Sequence, residues 1–179
     1  LYLVDPIDGF VTSALPRFDD LPLQNVDSAD LDLPASAEEK EETEQAPALA
    51  GEQFDDVVKR FIAVLGDRIK SVREAKLLVN SPCRLVSTDD AYDRDLQRFR
   101  RLTEENYETP KKVLEINRRH PTIAGLANLI QSNPTDPIID AAIEQLFDNA
   151  LLLEGLKANP VDMVARMQAI LAAAVERRA

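Results

Sequence analysis

Few residues of this chain have the type and spacing that chemistry needs, and each has a plainer reading. His120 is the only histidine, so neither a His-bearing metal cluster nor a second acid–base imidazole can be assembled. Standing directly before Pro121, it reads as a helix-entry residue rather than a base. Cys83 is the only cysteine, which excludes disulfides and paired-Cys zinc sites and leaves a small packed residue. The five glycines stand at 9, 51, 66, 125 and 155, too far apart to shape a phosphate-cradling loop. The acid pairs Asp19-Asp20, Asp55-Asp56 and Asp89-Asp90 are adjacent, whereas carboxylate catalysis needs two groups facing each other across a cleft. They read as solvated charges or helix caps. No enzymatic constellation, metal site or cofactor site is expected in this chain.

Apolar residues offer a different chemistry. Tyr92, Leu96, Phe99 and Leu102 recur at i, i+4, i+7 and i+10 along a helix predicted over about 90–106, interleaved with Arg94, Arg98, Arg100 and Arg101. Spacing alone favours a core-facing stripe with arginines toward water; the alternative is an apolar patch rimmed by arginine that holds partner protein. Two rings on an acidic chain do not make an RNA-stacking face.

The elements that must position these residues follow from periodicity. LYLV at 1–4 reads as a buried strand, Asp5-Pro6 opens a short helix with Ile7, Phe10, Val11 and Ala14 on one face, and Leu21–Val26 reads as a further strand. This piece is too small for a core of its own and reads as the edge of a preceding α/β domain. Phe54, Val57, Val58, Phe61, Ile62 and Leu65 predict a helix that Gly66 stops. Strands are expected over 69–79, 84–87 and 113–116, with a turn at Asn80-Ser81-Pro82. Pro121 opens a helix halted at Asn133-Pro134.

The last forty residues are the plainest. Asp136-Pro137 caps a helix whose stripe carries Ile139, Ala142, Ile143, Leu146, Phe147, Ala150 and Leu153, ended by Gly155. Asn159-Pro160 then opens a second helix with Val164, Met167, Ile170, Leu171 and Ala174. Two helices alone leave much of these stripes wet. Either they pack on the strands of their own chain, or the same hairpin of a second chain completes a four-helix bundle about a two-fold axis.

Composition sets the broad class. The 179 residues are 45% hydrophobic and 5% aromatic, enough for one full domain and part of another. The formal charge of −11 argues against nucleic acid or an anionic membrane as partner, and no apolar run reaches the ~20 residues of a membrane span. Residues 1–50 carry a net −10 and the remainder only −1, so the acidity belongs to one end. ASAEEKEETEQAPALA, between Pro34 and Gly51, reads as a solvated linker or loose helix rather than an acidic binding tail. The chain opens on Leu1 without an initiator Met, as expected of a piece of a longer parent.

Taken in order, LYLVDPIDGFV at 1–11, FIAVLGDRIKSVREAKLLVNSPCRLVST at 61–88, KVLEINRRHP at 112–121 and LFDNALLLEGLKANPVDMVARMQAIL at 146–171 resemble the C-terminal part of the ninety-kilodalton heat-shock protein chaperones. Bacterial and mitochondrial members look nearest. The resemblance implies an α+β chain: 1–35 the end of a middle α/β domain, 36–52 the acidic linker, and 53–179 a mixed α+β dimerisation domain. The terminal hairpin of that domain would form the inter-chain four-helix bundle. Ile139, Ile143, Leu146, Phe147, Ala150, Val164, Met167 and Leu171 would then line the dimer interface. The resemblance also turns the 90–106 helix into an exposed client-contact element with Tyr92, Leu96, Phe99 and Leu102. It implies a homodimeric stress-response chaperone that binds unfolded proteins. ATP and Mg would be held by parts of the full-length protein outside this chain, and the location would be the bacterial cytoplasm or, alternatively, the mitochondrial matrix. The chain reads Asn117-Arg118-Arg119-His120 where the family commonly has Asn-Pro-Asp-His. It ends in VERRA, so docking of tetratricopeptide co-chaperones is not expected. The rival reading is a purely structural homodimerisation module with an acidic tether and no client role.

Overall fold

A computed structural model describes residues 14–15, 17–23, 47–76, 78, 80–86, 111–156 and 159–176. The strand expected at 1–4, most of the helix expected at 7–14 and the helix expected at 90–106 lie outside the described residues. The chain divides into two compact units, Leu1–Leu33 with Val86–Lys112, and Pro34–Leu85 with Val113–Ala179.

Within the first unit, β1 (Arg17–Phe18) and β2 (Leu21–Pro22) pair antiparallel, with Phe18 opposite Leu21 and Arg17 opposite Pro22. Asp19 and Asp20 are the two residues between them, with φ of 46° and 61°. Both central residues of such a tight hairpin must take positive φ, which Asp tolerates better than most because its short side chain bonds locally. The Arg17 guanidinium closes the turn on the Asp20 carbonyl at 2.7 Å. The Asp19-Asp20 pair is therefore a solvent-exposed turn rather than a helix cap.

The second unit is α+β. Helix α1 (Gly51–Leu65) buries Phe54, Val57, Phe61 and Leu65, while Ile62 is nearly half exposed, so the apolar stripe is narrower than the one expected. Gly66 ends the helix at φ 51° and ψ −126°, a backbone that favours glycine, and its N–H donates to the Ile62 carbonyl. A 3-10 turn (Gly66–Arg68) leads into β3 (Ile69–Glu74). With β4 (Cys83–Val86) and β5 (Lys112–Ile116) it forms a sheet in the order β3-β5-β4. β3 is shorter than the expected 69–79 because its partner runs out. The Ala75 N–H donates to the Ile116 carbonyl at 2.9 Å, and β5 ends there.

Asn117 turns the chain out of the sheet. Its N–H donates to the Pro82 carbonyl, its side-chain oxygen accepts from the Arg119 N–H at 3.0 Å, and its carbonyl accepts from the His120 N–H at 3.1 Å. A tight turn thus forms at Asn117–His120 although the chain lacks the family's Pro-Asp there. His120 then caps α2 (Pro121–Ser132), its Nδ1 accepting from the Thr122 N–H at 3.2 Å, with Pro121 at the first helical position.

Helix α3 (Pro137–Leu153) starts on the Asp136 side chain, which accepts from the Ile138 N–H at 3.0 Å. It ends in a left-handed glycine motif: Gly155 has φ 66°, and the Gly155 and Leu156 N–H groups donate to the Leu152 and Leu151 carbonyls. Helix α4 (Pro160–Glu176) opens with the Asn159 side chain accepting from the Val161 N–H at 3.1 Å and donating to Asp162. α1, α2 and α3 enclose the core against the sheet, where Leu114, Ile116, Ile123, Ile139 and Ile143 have no exposed surface. α4 packs on α3.

Candidate self-association surface

The hairpin of α3 and α4 divides the expected interface residues by helix. Ile139, Ile143, Leu146, Phe147 and Ala150 are all buried in the core of their own chain. Their stripe faces α1 and α2, and two ion pairs tie the same helix to the α1 end of the unit. Arg60 meets Asp140 at 2.7 Å, and Arg68 meets Glu144 while lying 5.3 Å over the Phe147 ring. Val164, Met167 and Leu171 of α4 are exposed, Leu171 at 64%.

Other exposed apolar residues extend that patch. Val161 at 76%, Val175 at 69%, and Leu152 and Leu153 at the end of α3 stand in solvent as well. Val161, Val164, Leu171 and Val175 sit at i, i+3, i+10 and i+14, a helical seam legible in the spacing but split by Gln168. Leu153 is legible as part of the α3 stripe, yet it stands at the last residue of the helix, beyond Ala150 and Leu151 that meet the core, and is uncovered. On the opposite side of α4, Met163 is buried against its own chain and Ile170 half-buried. α4 is therefore apolar on two sides and covered on one, whereas a helix apolar all round is normally buried.

Polar contacts lie within the hairpin. Arg166 of α4 forms an ion pair with Asp148 of α3, and Gln145 donates to Asn149 at 2.9 Å. This pairing across the hairpin carried no sequence signal beyond a charge set in each apolar helix. Tyr92, Leu96, Phe99 and Leu102 lie outside the described residues.

The residues singled out for chemistry take structural places. Cys83 is buried, its thiol donates to the Leu146 carbonyl at 3.5 Å, and burial pushes its pKa up to about 12. At neutral pH such a group is a thiol and not a nucleophile. Among the described residues, no group of three or more His, Cys, Asp or Glu is placed to hold a metal ion, and no helix is long and apolar enough to cross a membrane.

The sequence model described as "Hsp90 protein" matches residues 1–179. Among curated relatives, "Chaperone protein HtpG" of Chlorobium phaeovibrioides (strain DSM 265 / 1930) is 35% identical over 99% of the chain and 28% of the relative. The protein of the same name from Chlorobaculum tepidum is 37% identical over 97% of the chain and 27% of the relative. That of Wolbachia pipientis wMel is 34% identical over 93% and 26%. The chain thus spans little more than a quarter of the length of the relatives it matches.

Proposed function

The chain belongs to the Hsp90 family, as a C-terminal portion of an HtpG-type chaperone, and on that premise we propose that it joins two copies of the protein and presents a client-contact helix. The observation that carries the reading is the uncovered apolar side of α4, from Val161 to Val175. A second copy of the same hairpin supplies a matching surface without any further partner, because a two-fold interface is self-complementary. Two α3–α4 hairpins then make a four-helix bundle in which the α4 stripes, with Leu152 and Leu153, meet across the axis. The α3 residues Ile139, Ile143, Leu146, Phe147 and Ala150 support that interface from beneath, since their own chain already encloses them.

In this reading the dimer holds two ATPase arms near each other and raises their effective concentration. The ATP and Mg site belongs to the remainder of the full-length protein, in the bacterial cytoplasm. The 90–106 helix, through Tyr92, Leu96, Phe99 and Leu102, holds partly unfolded client segments on a shallow apolar patch. The dimer is tested by Leu171→Asp, expected to give a folded monomer in sedimentation equilibrium; a dimer of unchanged affinity contradicts it. The client helix is tested by Tyr92→Ser with Leu96→Ser, expected to keep the dimer and lose suppression of aggregation of an unfolded protein. Unchanged suppression assigns clients elsewhere.

A further inference from the structure

Apolar contact has no direction, so it does not by itself fix how a helix is rotated about its own axis. α4 poses this problem sharply. Met163, Arg166, Ile170 and Ala173 share the side that faces α3, while Val161, Val164, Leu171 and Val175 point away. Small residues lie between the two sides, at Ala165, Ala169 and Ala172. A slip of one residue turns the helix by about 100° and still finds apolar surface for α3, but it offers a different stripe outward.

One directional contact on the covered side distinguishes these arrangements. The Asp148 side chain is 9% exposed and the Arg166 side chain 20%, and they are joined by a charge-assisted hydrogen bond. The surroundings are poorly arranged for stability. Arg166 Nε is buried with no partner among the described residues, and so is Oε1 of Gln145, one turn earlier on the same side of α3. Buried pairs with unmet polar atoms add little stability over an apolar replacement, and their best-attested use is to set registry.

We propose that the Asp148–Arg166 pair is a positioning device that fixes the rotation of α4 on α3, and so selects the stripe Val161, Val164, Leu171 and Val175 for a second copy of the chain. The inference rests on the self-association reading above. Asp148 and Arg166 need not touch the partner; they act through the placement of α4.

The test compares the 179-residue chain with D148N, R166M and the exchanged double variant D148R/R166D, by sedimentation equilibrium for the dimer Kd and circular dichroism for helix content. Each single variant is expected to keep its helix content and to raise the Kd by about tenfold or more. The exchange restores the pair in reverse and is expected to bring the Kd back close to that of the unaltered chain, which simple loss of packing at either position would not do. Dimeric single variants of unchanged Kd overturn the proposal, as does a folded exchange variant that stays monomeric. Unfolding of every variant also overturns it, since the pair would then be a requirement of the fold. A monomeric unaltered chain overturns the self-association reading and this inference together; a dimeric unaltered chain with indifferent variants overturns this inference alone.

Discussion

Leu49 and Arg118 bond to each other in both directions. The Leu49 N–H donates to the Arg118 carbonyl at 3.2 Å, and the Arg118 guanidinium donates back to the Leu49 carbonyl. The same guanidinium lies 5.5 Å over the Phe54 ring and reaches Glu74 at 3.3 Å. One residue of the Asn117–His120 turn therefore fastens the chain just ahead of α1, the first turn of α1 and the end of β3.

Arg118→Ala should destabilise the fold by about 2 kcal/mol, because Leu49 is buried and its carbonyl would lose a charged donor. Arg118→Lys should recover only part, since an ammonium cannot bond the carbonyl and Glu74 while stacking on Phe54. Urea midpoints at unchanged slope measure both effects; equal stability of the Lys variant and the natural chain would contradict the fork geometry.

Glu115, in the central strand, accepts from Arg73 of β3 at 2.8 Å and from Arg84 of β4 at 2.8 Å, with its own side chain only 5% exposed. Removing the shared acid leaves two partly buried cations facing each other. Glu115→Ala is expected to cost roughly 3–5 kcal/mol, and Arg73→Ala clearly less, because Arg73 is the more exposed arginine and Arg84 still holds the acid. Denaturant unfolding of the two variants checks that order, and a reversed order would mean that the acid is not the hub.

Burial of Cys83 predicts a loss of stability in alkali. Its folded pKa of about 12 lies above the ordinary thiol value of 9.0, so between these values the unfolded chain ionises its thiol and the folded chain does not. The folded state then binds more protons, and stability falls as pH rises through that window, by up to about 1.4 kcal/mol per unit. Below pH 9 this contribution is constant. Unfolding free energies measured from pH 8 to 10.5 should decline less steeply for Cys83→Ala than for the natural chain; parallel slopes would place the thiol in water.

Two aspartate substitutions separate the core from the exposed stripe of α4. Leu146 is buried within its own chain, so Leu146→Asp should unfold the unit rather than merely split a dimer. Leu171 is exposed, so Leu171→Asp should keep the helix content and change the unfolding free energy of the single chain by no more than about 0.5 kcal/mol while abolishing association. Circular dichroism and sedimentation on the same samples decide it. A folded Leu146→Asp chain would contradict the core assignment.

Local chemistry made much of the fold legible. Asp136-Pro137, His120-Pro121 and Asn159-Pro160 start helices, and Gly66 and Gly155 stop them, because capping bonds and positive φ are settled within a few residues. What escaped depends on partners distant in sequence. The end of β3 at Glu74 is set by where β5 stops, the burial of Glu115 by arginines on two other strands, and the pairing of Asp148 by Arg166 on the next helix. The same limit split the residues expected at the interface. Periodicity placed apolar stripes on both α3 and α4, but only the packing of α1 and α2 tells that the α3 stripe is already filled and the α4 stripe is not.

Self-association is read most directly from the mass of this chain in solution, measured by sedimentation equilibrium over a wide dilution series. It predicts a species of twice 19.9 kDa that persists on dilution, held by the α4 stripes. A single species of 19.9 kDa at every concentration would contradict it, and would leave Val161, Val164, Leu171 and Val175 facing water with no second copy to cover them.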